Sequence, residues 1–110
     1  MTTRPLITVV TAWYNRADHI RTTLDALLAQ EGVEFEYIVV NDGSRDPRVA
    51  EILDSYEHPR LRVIHQANAG FVQAIRHAVS QARGDFVAVM GAGDVALPGR
   101  LKTQAEALSD

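Results

Sequence analysis

Four short, β-rich apolar runs, each followed by a loop and then by apolar residues at helical spacing, constrain this chain more than any other feature. "LITVVTAWYN" leads through a turn at 15–18 into a segment in which Ile20, Leu24, Leu27 and Leu28 share one helix face, ending near Gly32. "FEYIVV" is nearly continuous and β-branched, as a strand covered on both faces would be. Asp46 then Pro47 form an N-cap and first-helical-position pair ahead of Val49, Ile52 and Leu53. "LRVIHQ" reads as a third strand, and Val72, Ile75, Val79 and Ala82 mark the apolar face of a helix that stops at Gly84. "DFVAVM" is the fourth strand, and a last helix begins at Pro98 and carries Leu101, Ala105 and Leu108.

The order β-α-β-α-β-α-β-α with short connections predicts an α/β fold: a parallel sheet between helix layers, a Rossmann-like three-layer sandwich. One domain over residues 1–110 is expected, because 110 residues at 46% hydrophobic make one modest core and no linker, repeat or low-complexity tract interrupts them. A net charge of -3, with ten of the eleven basic residues being scattered Arg, offers no basic stripe to a nucleic acid. The absence of Cys removes disulfides, thiolate metal sites and thiol nucleophiles. The longest apolar stretch, Phe86 to Met90, is far short of the ~20 residues of a membrane span, and no secretion signal is visible at the N-terminus. A cytoplasmic location is the expectation.

Ligands of open parallel sheets sit beyond the carboxyl ends of the strands. Those ends supply Ala12, Trp13, Tyr14 and Asn15 after the first strand, Asn41, Asp42, Gly43 and Ser44 after the second, and Gly91, Ala92, Gly93 and Asp94 after the fourth. A carboxylate there can accept from a base N–H or a ribose hydroxyl, and an aromatic face can support a base. Turn chemistry accounts equally well for Asp42-Gly43-Ser44, and core packing for Tyr14.

The runs "ITVVTAWYNRADHIRTTLDALLAQ", "FEYIVVNDGSRD" and "NAGFVQAIRHAVSQARGDFVAVMGAGDVALPGRL" resemble, in register and in order, the N-terminal half of family 2 glycosyltransferases, which have the GT-A fold. The resemblance implies a site for a UDP, GDP or dTDP sugar, transferred by inversion to a sugar, lipid or protein acceptor. It places Ala12, Tyr14 and Asn15 against the base, Asp42 on the base or ribose, and Arg76 near the donor. Asn68 and Gly70 shape the third loop, and His77 is a helix-surface or packing residue. The family's Asp-x-Asp metal cluster reads Gly91-Ala92-Gly93 here, leaving Asp94 as the single carboxylate for Mg²⁺ or Mn²⁺, so metal use is weakened. "GAGDVA" also fits a dinucleotide fingerprint, but Pro98 follows at once and no acidic residue closes a further strand. A phosphoacceptor receiver domain would want paired acids where Tyr14 and Asn15 stand.

No acid is assigned as the catalytic base, since the acceptor half of such an enzyme has no counterpart before Asp110. The chain is therefore expected to be the donor-binding part of a longer transferase, inactive alone, or a stand-alone nucleotide-binding remnant. The alternative is a non-catalytic module that binds a nucleotide sugar or a protein partner and has lost its metal site.

Overall fold

The structure is a computed structural model and describes residues 5–108. Strands β1 (Ile7–Trp13), β2 (Phe35–Asp42), β3 (Leu61–Gln66) and β4 (Phe86–Val89) alternate with helices α1 (Ile20–Leu28), α2 (Pro47–Asp54), α3 (Phe71–Ser80) and α4 (Arg100–Leu108), and a 3₁₀ turn at Ala17–His19 precedes α1. The four strands form one parallel sheet in the order β3-β2-β1-β4. The α/β sandwich expected from the sequence is what forms. β2 is buried at every position, which explains its unbroken apolar run.

Because side chains alternate along a strand, the two faces of the sheet carry two cores. Ile7, Val9, Trp13, Phe35, Tyr37 and Val39 pack with α1, α2 and α4 through Ile20, Leu24, Leu27, Val49, Leu53 and Leu101. On the other face Val10, Ile38 and Val40 meet Ala74 and Ala78 of α3. Asp42 ends β2 and Asp94 lies in the loop after β4, and in a parallel sheet both acids are then at the same, carboxyl edge.

Three sequence expectations need correction. The sheet-facing stripe of α3 is Ala74 and Ala78, both fully buried, with Ile75 beside them, whereas Val72 and Val79 are exposed. Small side chains let the helix backbone approach the strands, and that geometry outweighs the larger hydrophobic residues one turn position away. The same helix ends at Ser80 and not at Gly84: Gln81 and Ala82 close the chain with tight N–H bonds to Ala78 and Val79. Helix α4 starts at Arg100 and not at Pro98, because Gly99 has φ +83°, outside helical geometry.

Both ends of α3 are tied to buried carboxylates of β2. At the amino edge of the sheet, Glu36 is 3% exposed and accepts from Thr8 Oγ1 (2.7 Å), Arg83 N (2.6 Å) and Arg83 Nε (3.2 Å), with Arg62 Nη1 at 3.5 Å. Burial alone would raise its pKa, but these hydrogen bonds and the Arg83 charge outweigh it and hold the carboxyl below its usual range. Gly84 belongs to the same knot: its N–H donates to Thr8 Oγ1 (2.8 Å), and a Cβ there would lie 2.6 Å from Thr8 N.

The alanine stripe yields a paired test. Ala78→Leu should lift α3 from the sheet and destabilise the fold by about 1–3 kcal/mol. Val79→Ser, on the exposed side, should stay within about 0.5 kcal/mol in the same urea titration. Equal losses would mean that Val79 belongs to the core.

Candidate functional site

The first strand-end loop turns through two left-handed residues. Asn15 and Arg16 are consecutive left-handed residues, φ +54° and +53°, and no other described non-glycine residue has positive φ. Asn is among the side chains that tolerate this conformation best, while Arg in it is costly. Hydrogen bonds hold the turn: Trp13 Nε1 donates to Asn15 O (2.6 Å), and Asn15 N donates to Ser44 Oγ (2.9 Å). Asn15 Oδ1 accepts from both Arg45 N (2.9 Å) and Asp46 N (3.2 Å). A single side chain thus joins the loop after β1 to the loop after β2.

The second loop then divides between the faces of the sheet. Asn41, on the Trp13 side, accepts from Ser44 N (3.2 Å) through Oδ1, and its amide nitrogen lies 3.1 Å from His65 Nδ1. His65 Nε2 reaches Asp54 at 2.7 Å. Asp42, on the α3 side, is 4% exposed. Its Oδ1 accepts from Gln66 Nε2 (2.9 Å) and Ala69 N (2.8 Å), and its Oδ2 from Gly70 N (3.0 Å) and Asn68 Nδ2 (3.2 Å). Burial would raise the Asp42 pKa, but bonds from Gln66, Ala69 and Gly70 prevail and lower it. His77 Nδ1 lies 2.7 Å from Gln66 Oε1, so this packing residue orients the amide that holds Asp42.

Gly43 closes the joint for two reasons. Its φ is +64°, and a Cβ would stand 2.3 Å from Asn68 N. The third loop, 67–70, is therefore laid directly on the second. Asn68 and Gly70 shape it as expected: the Asn68 amide also donates to Asp42 O (2.9 Å), and Gly70, φ +96°, caps α3.

The loop after β4 joins through Arg16. Its Nη1 donates to Ala92 O (3.2 Å), and its Nη2 lies 3.0 Å from where a Cβ on Gly93 would be. Asp94 is exposed; its Oδ2 accepts from Gly91 N (3.1 Å) and its own N–H returns to Gly91 O (3.1 Å). At the far end, Gln30 pins the loop to α1 and α4, donating to Leu97 O (2.9 Å) and accepting from Leu101 N (3.1 Å).

Of the residues expected at a site, Asn15, Asp42 and the Asp94 loop are thus brought to one edge and hydrogen-bonded into one assembly. Ala12 sits half-buried opposite Val40 in the sheet, and Tyr14 is exposed at 41%, ahead of the turn. Arg76 is exposed on α3, two residues from both Ala74 and Ala78 and so on the side away from the sheet. Arg16, Gln66 and His65 were not singled out from the sequence. Neither Gln66 nor Arg16 carries a local sequence signal: the strand register sets Gln66 opposite Asp42, and the turn at Asn15 brings Arg16 to Ala92.

The donor set after β4 does not fit a divalent cation held by the protein. Gly91 and Gly93 supply no carboxylate, Asp94 is engaged with Gly91, and no group of three His, Cys, Asp or Glu side chains suited to a metal occurs among the described residues. Nor is any helix among those residues long and apolar enough to cross a membrane.

The sequence matches the model of Glycosyl transferase family 2 over residues 8–110. The chain belongs to that family. It is 36% identical over 99 residues to the uncharacterized glycosyltransferase YibD of Escherichia coli K12, covering 88% of this chain and 28% of that protein. It is 38% identical over 103 residues to the succinoglycan biosynthesis protein ExoO of Rhizobium meliloti, covering 93% of this chain and 29% of the relative. Among solved structures, S. aureus TarS 1–349 in complex with UDP-GlcNAc superposes with a TM-score of 0.85 at 29% identity, over 94% of this chain and 31% of that one. The mannosyltransferase PcManGT from Pyrobaculum calidifontis, in complex with GDP-Man and Mn²⁺, gives 0.84 at 25% identity over 99% and 34%. The parallel sheet and its helices are those of GT-A glycosyltransferases, and the chain spans about a third of the length of these family members.

The Asp42 clasp carries a pH signature. With its folded pKa below the usual carboxylate value, Asp42 contributes stability above about pH 4 that disappears as pH falls through the lowered value. Asp42→Asn should cost about 1–3 kcal/mol at pH 7 and flatten the acid limb of the stability curve, read by thermal melts from pH 7 to 2. A variant with the same acid limb as the parent would show that the clasp is not a charged one.

Proposed function

We propose that this chain is the donor-binding part of a nucleotide-sugar-dependent glycosyltransferase, whose whole protein transfers the sugar to an acceptor hydroxyl with inversion. The observation that carries the reading is the fusion of the strand-end loops: Asn15 to Ser44, Arg45 and Asp46, Gly43 and Asp42 to residues 68–70, and Arg16 to Ala92. A preassembled, polar strand-end edge is where an open parallel sheet takes a nucleotide. Family members of the same fold are described with UDP-GlcNAc and GDP-Man.

In this reading Ala12, Tyr14 and Asn15 meet the base and Asp42 holds the base or ribose. All four acceptor positions of the Asp42 carboxylate are in use, so an incoming N–H or hydroxyl has to take the place of one of them. The Asn68 amide, at 3.2 Å the longest, is the one to yield. Arg76 joins the donor only if the ligand reaches over the exposed side of α3. Proton removal from the acceptor hydroxyl is assigned to no acid of this chain.

A second reading has its own support. The glycines at 91 and 93 favour a non-catalytic module that binds the nucleotide sugar without turning it over.

Calorimetry tests both. UDP, GDP and dTDP titrated into the chain should give saturable binding for at least one of them, and binding of none would end the nucleotide reading. Mn²⁺ or Mg²⁺ titrated without nucleotide should give no saturable heat, because a lone exposed carboxylate competes poorly with water for a hard cation. Tight metal binding to the free protein would mean that ligands have been misassigned. Transfer to any acceptor by the 110-residue chain should be undetectable. Robust transfer, abolished by Asp94→Asn, would show a complete enzyme.

A further inference from the structure

Arg16 combines three properties that folding alone does not require. It holds a left-handed backbone, φ +53°, that costs an arginine free energy. Its guanidinium is fixed against the loop after β4 by the bond to Ala92 O, across a glycine whose missing side chain makes the room. No ion pair neutralises it among the described residues; Arg21, Arg45, Arg76 and Arg100 also lack one, but of these arginines only Arg16 is bonded to the loop after β4. A cation is therefore held, exposed and without an ion-pair partner, against the loop where Gly91 and Gly93 leave Asp94 as the single carboxylate.

We propose that Arg16 supplies the positive charge for the donor diphosphate, so that nucleoside diphosphate binding by this chain is independent of divalent metal. The inference rests on the nucleotide reading above and adds to it the source of charge neutralisation. The chemistry suits the group: a guanidinium stays protonated throughout the useful pH range, and its planar fork pairs with two phosphate oxygens. One N–H is spent on Ala92 O, which aims the fork and leaves the remaining donors for the ligand. Gly93 is part of the device. With φ +94° and no Cβ, it lets the guanidinium lie against the loop; a carboxylate side chain there would pair with Arg16 and cancel its charge.

The test is calorimetric titration of UDP and of GDP at low ionic strength, once with a chelator and once with Mn²⁺, into the parent chain, Arg16→Asn and Arg16→Lys. Asn is the replacement that best tolerates the left-handed backbone while removing the charge. The parent should bind one diphosphate equally well in chelator and in Mn²⁺. Arg16→Asn should weaken that binding by at least about tenfold, the loss of a charged hydrogen bond, while uridine or guanosine binding changes less. Arg16→Lys, which keeps charge but loses the fork, should fall between. If circular dichroism shows Arg16→Asn unfolded, the Lys variant and the parent's metal independence carry the decision.

Binding that needs Mn²⁺, or variants that bind UDP or GDP as the parent does, would overturn the role of Arg16 and leave the nucleotide site standing. A parent chain that binds neither diphosphate in either condition would remove both.

Discussion

The amide side chain and backbone of Asn15 are the constraint on which the strand-end edge depends. Without them, the loops after β1 and β2 would be two independent turns with unpaired N–H groups at Arg45 and Asp46. Those N–H groups stand just before α2, where Asp46 caps the helix by accepting from Arg48 N (3.0 Å). Asn15 therefore fixes the direction in which α2 leaves the sheet, and through Ser44 it fixes the conformation of residues 41–44. The left-handed turn that makes this reach available also swings Arg16 toward the fourth strand's loop. Local backbone strain and site assembly are one event here.

The α3 face of the sheet is held by charge at both of its edges. Glu36 and Asp42 lie on one face of β2, six positions apart, and each is buried and hydrogen-bonded to the chain flanking α3. One carboxylate grips the segment after the helix, the other the segment before it. Buried carboxylates are costly unless their lone pairs are used, and both meet that condition through backbone N–H groups together with the side chains of Thr8 and Arg83 or of Gln66 and Asn68. α3, whose contact with the sheet is two alanines and part of Ile75, gains by this strapping what its thin apolar face lacks.

The succession of strands and helices along the chain, the loops and the Asp46–Pro47 cap were legible in the sequence because periodicity and capping are local. The α3 stripe was not: Val72 and Val79 look like the core face by hydropathy, and only the depth of the sheet beneath selects Ala74 and Ala78. Asp42 was legible as a polar residue at a strand end but not as a clasp, since its partners Gln66, Asn68, Ala69 and Gly70 come from a strand end and loop more than twenty residues on. Arg16 was invisible for the opposite reason. Its meaning depends on what is missing at Gly93, and no local pattern connects the two positions.

The side chain at position 41 shows the same coupling of loop and chemistry. Asn41 stands there beside His65. An amide can do two opposite things at once: its oxygen accepts from Ser44 N while its nitrogen donates to His65 Nδ1, leaving Nε2 as the N–H that meets Asp54. A carboxylate would keep the bond to Ser44 but face Nδ1 with a second acceptor, and would require His65 to carry a proton there. An amide at 41 thus secures the loop without adding a negative charge to the edge. Gly91 and Gly93 add none either, so the charges next to the loop after β4 are the Arg16 guanidinium that is bonded to it and the carboxylate of Asp94 within it.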